Sequence, residues 1–405
     1  MRDAVIVDAV RTPIGKRNGA LSGIHPAVLS AHVLKALAGR TGVEPREIDD
    51  VVWGCVSQVG DQSGNLGRAA VLAAGWPESV PGTTVDRRCG SSQQAIHFAA
   101  AGVVAGHYDF VIAGGVESMS RVPMGSAGRD GRPYPGEVLE RYGVPGFNQG
   151  LGAEMMAERW ALSRRQLDEY SARSHARAAA AVDSGALDGQ LAPVPGTGPG
   201  TGPGTGPGTG PGTGSGTGPG TGAGTLRADE GIRRGTSVET LAGLRTAFRE
   251  NGVITAGNAS QISDGAGALL ITSGELARAR GLRPIARVHT AVLAADDPVI
   301  MLTAPIEATA KALKKSGLRL DDIGAFEVNE AFAPVPLAWQ AETGAPGERL
   351  NPLGGAIAVG HPLGGSGAVL MTRLVHHMKD QGIRFGLQTM CEAGGMANAT
   401  IIELL

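Results

Sequence analysis

Asp49-Asp50-Val51-Val52-Trp53-Gly54-Cys55-Val56-Ser57-Gln58 and Asp321-Asp322-Ile323-Gly324-Ala325-Phe326-Glu327-Val328-Asn329-Glu330 share one pattern: an acidic pair, a short apolar run and a polar exit. Each follows a helical stretch and a polar turn. Further along, Cys89-Gly90-Ser91-Ser92 opens a small-residue helix that leads to Asp109-Phe110-Val111-Ile112-Ala113-Gly114-Gly115. In the second half, His361-Pro362-Leu363-Gly364-Gly365-Ser366-Gly367 opens a helix that leads to Leu387-Gln388-Thr389-Met390-Cys391-Glu392-Ala393-Gly394-Gly395. The chain reads as duplicated, with a reactive residue at the same helix-start position in each half. Two similar halves packed about a pseudo-twofold would bring those helix starts together.

Around these landmarks, short β-branched runs alternate with Ala-rich stretches, the order expected of α/β layers with mostly buried strands. Strands are expected at Ala4–Val7, Val51–Val56, Phe110–Ala113, Phe326–Asn329 and Leu387–Cys391. Helices are expected at Pro26–Gly39, Ser91–Ala105, Leu151–Ala161, Leu167–Ser184, Ala304–Ser316 and Gly364–Gln381.

The 405 residues are enough to bury a substantial core. With 36 Lys+Arg against 38 Asp+Glu the chain has no strong field to attract a polyanion, so nucleic-acid binding is disfavoured. Three cysteines cannot all pair and lack CxxC spacing, which fits a reducing compartment. No Cys/His group has metal-ligand spacing, and no Gly-rich stretch carries a Lys-Ser/Thr nucleotide signature. The start, Met1-Arg2-Asp3-Ala4-Val5-Ile6-Val7-Asp8, reads as a first strand rather than a signal peptide. The most apolar long window, Phe98 to Val116, contains His107, Tyr108 and Asp109, which a membrane span would penalise. A soluble, cytoplasmic protein is expected. Residues 195–224 are a near-perfect Thr-Gly-Pro-Gly repeat with no charged or large apolar side chain to offset ordering entropy, and are expected to be a disordered tether carried as a surface loop.

Four residues carry candidate chemistry. Cys89 follows Asp86-Arg87-Arg88 and precedes a helix, so two cations and the positive helix end are expected to favour its thiolate. A free Cys is more commonly a small buried hydrophobe, but placement at a Gly-Ser helix start favours a nucleophile. His361 lies in the Gly354–Gly367 run, where dense glycines permit tight turns, and a neutral imidazole near Cys89 could take its proton. The other histidines read as solvated or packed, with His376 and His377 on a helix exterior. Cys391 ends a strand and enters Glu392-Ala393-Gly394-Gly395, whose backbone N–H groups could face an oxyanion, although a core Cys at a strand end is as good a reading of the spacing. Asn329 also ends a strand, and its buried amide could hold a water or a carbonyl, or serve a turn.

Together these motifs resemble the thiolase family, over nearly the whole chain apart from the tether. The matching segments are Asp8–Gly15, the Cys89 helix, Gly257-Asn258-Ala259-Ser260-Gln261-Ile262-Ser263-Asp264-Gly265-Ala266, Asn329-Glu330-Ala331-Phe332, Gly354–Gly367, and Cys391 with its glycines. The resemblance implies an α/β fold of duplicated βαβαβαββ halves in an α-β-α-β-α layering. The first half would span 1–118 and be completed by 246–273. A loop domain over the coenzyme A site would span 119–245, and the second half 274–405. It also implies ping-pong cleavage of 3-ketoacyl-CoA, with Cys89 acylated, His361 activating Cys89, and Cys391 moving the proton at C2. Asn329, through a water, and His361 would form one oxyanion hole, and the backbone N–H groups of Cys89 and Ala393 the other. Ser260, Arg233 and Thr240 would contact coenzyme A, which is a substrate; no permanently bound cofactor is implied. A homodimer or homotetramer acting on acyl-CoA and CoA is expected, without nucleic acid or membrane.

Three departures stand out. Ala393 occupies the first position of a usual triple-Gly turn, where positive φ would cost about 1 kcal/mol or more. Asn148-Gln149-Gly150 stands where biosynthetic members carry His-Met-Gly, and Glu392 follows Cys391 in place of a small aliphatic residue. The last two resemble members that degrade longer or bulkier 3-ketoacyl-CoAs. The alternatives are a biosynthetic acetoacetyl-CoA thiolase and, more remotely, a non-catalytic thiolase-like binding protein. A ketoacyl-synthase pattern would need a histidine at Asn329, and a papain-type hydrolase does not suit the duplicated pattern.

Overall fold

The computed structural model describes residues 2–195 and 224–405, so the expected tether, apart from its two end residues, lies outside the described residues. The strands are β1 (Val5–Arg11), β2 (Gly15–Lys16), β3 (Asp50–Gly54), β4 (Thr83–Val85), β5 (Phe110–Ser118), β6 (Val194–Pro195), β7 (Thr225–Leu226), β8 (Ser263–Thr272), β9 (Ala286–Ala295), β10 (Ala325–Val328), β11 (Phe385–Glu392) and β12 (Met396–Leu404). The helices are α1 (Pro26–Thr41), α2 (Leu66–Ala73), α3 (Ser91–Ala105), α4 (Gly136–Tyr142), α5 (Gln149–Arg159), α6 (Arg164–Asp183), α7 (Val238–Ala242), α8 (Gly274–Ala279), α9 (Ala304–Ser316), α10 (Pro334–Thr343), α11 (Ala356–Val359) and α12 (Ser366–Gln381).

The main sheet runs β10-β11-β12-β9-β1-β8-β5-β3-β4, with β2 paired to β8. It is palindromic about its centre. On one side β3 and β5 are parallel, then β5–β8 and β8–β1 antiparallel; on the other, β10 and β11 are parallel, then β11–β12 and β12–β9 antiparallel. The halves join where Val5 and Ile6 of β1 pair with Arg287 and Ala286 of β9.

The duplication is real, but its register differs from the one the acidic pairs suggest. Asp49 N donates to Phe110 O at 2.8 Å and Gly324 N to Phe385 O at 2.9 Å, and Asp50 faces Val111 as Ala325 faces Gly386. Asp49 is therefore the twin of Gly324, not of Asp321. Short 3₁₀ turns ending at Ile48 and Ile323 set this frame. The same frame makes Ser91, which begins α3, the twin of Ser366, which begins α12, and Glu117 the twin of Glu392. Cys89 is thus matched by Gly364, and His361 sits three residues before that position rather than at it.

Helices α3 and α12 form the inner layer. Ala95, Ile96 and Ala99 of α3 and Met371, Leu374 and Val375 of α12 share one core with β1, β8, β9 and β12. Outside, α1 and α2 cover the first half, and α5, α6, α9 and α10 the second. Trp53 and Trp339 anchor these outer cores without exposure, and each indole N–H is satisfied, by Ser30 Oγ at 3.1 Å and Thr309 Oγ1 at 2.8 Å. Burying such a side chain contributes roughly 1.5–3 kcal/mol or more.

The inner helices meet at their starts. Ala368 N donates to Ser92 Oγ at 2.9 Å, and a Cβ on Gly367 would stand 2.2 Å from Gln93 N. Among the described residues no helix is long and apolar enough to cross a membrane.

Candidate active site

Helix α3 begins from a tight turn. Arg88 adopts φ 50°, Gly90 N donates to Arg87 O at 3.0 Å, and Ser91 Oγ accepts from Arg87 N at 2.9 Å and donates to Arg88 O at 2.5 Å. This turn directs Cys89 inward among Met119, Leu363, Leu370 and Met390. Leu363 and Leu370 belong to the His361 loop and α12, so the turn and the loop share one apolar wall.

Cys89 and His361 are each 4% exposed, and Cys391 and Asn329 each 1%. The environment of Cys89 reverses the expectation of a resting thiolate. Burial pushes its pKa up to about 12, and the Glu392 and Glu117 charges add to that, while Arg88 opposes them. Cation proximity loses to desolvation here. Burial also lifts Cys391 well above the ordinary thiol range, and the charge of Cys89 lifts it further, which places the two sulfurs within electrostatic reach.

His361 has a defined tautomer. Ser366 Oγ donates to Pro362 O at 2.9 Å, so its oxygen accepts from His361 Nδ1–H at 2.6 Å. That assignment puts the lone pair on Nε2, which accepts a long 3.4 Å hydrogen bond from Asn329 Nδ2. Burial lowers the His361 pKa to about 4, so the ring is neutral near pH 7. The backbone N–H of His361 is held by Gln261 O and Ser263 Oγ, both at 3.2 Å. Asn329 Oδ1 is buried with no protein partner, the condition of an atom able to hold a water.

The loop between Asn329 and His361 is fixed by Glu330. Its carboxylate accepts from Tyr170 Oη at 2.8 Å, Ser174 Oγ at 2.7 Å, Asn351 Nδ2 at 3.1 Å and Ile357 N at 3.1 Å. Neither Glu330 nor Ser366 was singled out by sequence reasoning. The correct repeat frame would have flagged Ser366, because its twin Ser91 closes the Cys89 turn.

Ala393 is not strained, contrary to expectation. Its φ is not positive; Gly394 (φ 91°) and Gly395 (φ 77°) carry the left-handed backbone of the turn. A side chain at 393 therefore costs nothing in this conformation. Asn148 accepts from Gly150 N at 2.9 Å and Leu151 N at 3.1 Å, so its amide is spent as the cap of α5. Phe248 lies where a Cβ on Gly150 would stand, 2.1 Å away, and packs edge-on to Phe332 with ring centroids 5.8 Å apart.

Ser260 lies beside the Asn329 loop through its N–H to Ala331 O at 2.9 Å. Arg233 and Thr240 are exposed, unlike the four buried candidates. Arg233 N donates to His175 Nδ1 at 3.1 Å, and the Thr240 hydroxyl is engaged with Ser237 in the cap of α7. His376, expected on a helix exterior, is buried and donates to Ala9 O at 3.0 Å because that face of α12 packs on β1. Among the described residues no group of three or more His, Cys, Asp or Glu could hold a metal ion.

A duplicated α/β fold that sets a buried cysteine turn and an imidazole loop on one apolar wall, with a second thiol near the first and an amide beside the ring, is the framework of an acyl-transfer enzyme. The chain matches the N-terminal thiolase domain over residues 4–275 and the C-terminal thiolase domain over residues 282–404, and it belongs to the thiolase family. It is 46% identical over 413 residues to the steroid 3-ketoacyl-CoA thiolase FadA6 of Mycobacterium tuberculosis, covering 100% of this chain and 95% of that protein. It is 42% identical over 410 residues to the 3-ketoacyl-CoA thiolase of Escherichia coli O1:K1 / APEC, covering 100% of both chains. The crystal structure of the Bacillus anthracis acetyl-CoA acetyltransferase superposes with a TM-score of 0.86 at 35% identity, covering 100% of this chain and 99% of that one.

Proposed function

We propose that this chain is a degradative thiolase that cleaves 3-ketoacyl-CoA with CoA to acetyl-CoA and a shortened acyl-CoA. The observation that carries the reading is the His361 tautomer, which leaves Nε2 an unprotonated base held only by a long bond from Asn329, on a loop that shares its apolar wall with the Cys89 turn. Cys89 Sγ attacks the 3-keto carbon while His361 Nε2 takes the thiol proton. The C2–C3 bond then breaks, leaving an acyl-Cys89 thioester and an acetyl-CoA enolate. Cys391 gives its proton to C2 of the enolate and, as a thiolate, takes the proton of the incoming CoA thiol. The CoA sulfur then removes the acyl group from Cys89, whose leaving thiolate regains the proton held by His361. Raised thiol pKa values suit this direction: Cys391 rests protonated, ready to act as an acid, and Cys89 gives up its proton only as the acyl carbon arrives.

The water held by Asn329, with His361, serves one oxyanion, and the N–H groups of Cys89 and Ala393 serve the other. Ser260, Arg233 and Thr240 are assigned to coenzyme A, with Arg233 dropped from the site if Arg233→Ala leaves the KM for CoA unchanged. No permanent cofactor is needed for this chemistry. A cytoplasmic homodimer or homotetramer accompanies the reading; β4 ends the sheet and pairs only with β3 among the described residues, leaving an edge for a second copy. Light scattering gives the copy number.

The deciding experiment is CoA-dependent thiolysis of acetoacetyl-CoA beside a long-chain or sterol-derived 3-ketoacyl-CoA, with Cys89→Ala as control. Faster turnover of the bulky substrate, abolished by Cys89→Ala, is expected. Preference for acetoacetyl-CoA would favour the biosynthetic reading, which the likeness to the Bacillus anthracis enzyme also supports. Silence on both would leave a binding role.

A further inference from the structure

Glu117 and Glu392 are structural twins with opposite surroundings. Each lies at the C-terminal end of its strand, Glu117 next to last in β5 and Glu392 last in β11, and each reaches across to the helix start of the other half. Glu117 accepts from Val56 N (3.0 Å), Ser57 N (3.1 Å), Gln62 Nε2 (2.7 Å) and, at the start of α12, Gly364 N (2.8 Å). Four donors fill both oxygens, the arrangement of a carboxylate.

Glu392 has no exposure, and neither of its oxygens has a well-formed hydrogen-bond partner. A Cβ placed on Gly90 would stand 1.9 Å from Glu392 Oε1 and 2.7 Å from Asn398 Oδ1, so the carboxyl and the amide oxygen crowd the same point against the Cys89 turn. The Asn398 amide, as placed, offers the carboxyl no donor. Its Nδ2 is committed to Gln94 Oε1 at 3.2 Å and to His97 Nδ1 at 3.1 Å, and its Oδ1 lacks a donor. Two buried acceptors crowding one point are costly when only the Asn398 backbone N–H reaches the carboxyl, and one proton on the carboxyl serves both.

We propose that Glu392 is a positioning residue for the nucleophile: a protonated carboxylic acid that donates to Asn398 Oδ1, braces the Gly90 turn and keeps negative charge away from Cys89. This inference deepens the thiolase reading of the same pocket and rests on it only for its consequence in turnover. The charged and titratable groups that face the carboxyl are Cys391 on its own strand, Asp86, Arg87, Arg88 and Cys89 on the turn before α3, His97 on α3 through Asn398, and Glu117 on β5 through Cys89. Arg87 and the Asn398 backbone N–H favour the anion, yet burial outweighs them and lifts the pKa to about 8.

The test uses the full chain and needs no substrate. Infrared difference spectra of the wild type between about pH 7 and pH 10 should contain a protonated-carboxyl C=O band, absent from Glu392→Gln. The rate of iodoacetamide modification of Cys89, followed by peptide mass spectrometry against pH, should have a midpoint about one unit lower in Glu392→Gln, because Gln keeps the donor and cannot ionise. Absence of the infrared band from the wild type, or coincident alkylation profiles, would overturn the proposal. Both readouts stand apart from thiolysis, so an inactive protein with the band present would refute the proposed activity and leave Glu392 as described.

Discussion

Replacing Ser366 by alanine removes the only described partner of His361 Nδ1 while leaving every residue assigned to the reaction in place. In the structure the Ser366 hydroxyl hands its hydrogen to Pro362 O and receives that of the imidazole at 2.6 Å, which forces the lone pair onto Nε2. Ser366→Ala leaves a buried N–H unpaired at a cost of about 1–3 kcal/mol. The ring escapes that cost by moving its hydrogen to Nε2 or by rotating away from Asn329, and either change removes the base. The fraction of productive rings, and with it the rate of Cys89 acylation, should fall about 10- to 100-fold, since 1.4 kcal/mol corresponds to a factor of ten. A rapid-quench measurement of acyl-enzyme formation isolates this step from release of products. The variant's base should also be weaker, because the imidazolium loses an acceptor for its Nδ1–H, so the acid limb of the profile should move down rather than up. An acylation rate within twofold of wild type, on an unshifted profile, would refute the relay.

Acidification should test the buried histidines as a group. Burial holds His97 at about 3, and His175 and His361 at about 4, below the unfolded value of 6.5. The unfolded chain therefore binds more protons between pH 6.5 and 4, and urea midpoints should fall steadily as the pH drops through that window, less steeply in His97→Gln. Cys89 acylation should persist at pH 5 to 6 and fail as His361 protonates near pH 4, read from kcat/KM. Arg11 and Asp229 form an ion pair with both side chains at 0% exposure, so Arg11→Ala should cost about 3–5 kcal/mol in denaturant unfolding by stranding the carboxylate. Gly395→Ala should lower Tm by several degrees, since φ is 77° and the new Cβ would stand 2.5 Å from Asp296 O, whereas Ala393→Gly should lower it by far less.

What the sequence displayed was chiefly what local chemistry dictates. The bounds expected for α3 and α9, Ser91–Ala105 and Ala304–Ser316, are those observed, because Gly106 (φ 81°) and Gly317 (φ 74°) end both helices in the left-handed region. Strand β8 went unrecognised because Ser263-Asp264-Gly265-Ala266-Gly267 has the composition of a turn. Its glycines are there for packing: a Cβ on Gly267 would stand 3.0 Å from Val369 N of α12. Strands β9 and β12 have no acidic-pair signature and were passed over. The repeat was visible, but its frame was not, since Asp49-Asp50 and Asp321-Asp322 look alike while backbone pairing equates Asp49 with Gly324. Cys89, His361, Cys391 and Asn329 were legible as residue types in glycine-rich settings. Their protonation was not, because a pKa is decided by burial and by partners from distant parts of the chain, as the reversal at Cys89 demonstrates.

The crossed reach of the two strand-end glutamates means that neither half of the molecule owns its working parts. The turn bearing Cys89 is braced by a carboxyl from the C-terminal half, and the loop after His361 is held by one from the N-terminal half. Cutting the chain between the halves would leave each with a strand end aimed at nothing. A single ancestral unit with this architecture could have completed such a site only by clasping a second copy of itself, and the covalent duplication makes that partnership permanent while freeing the two helix starts to diverge, one toward sulfur and the other toward imidazole.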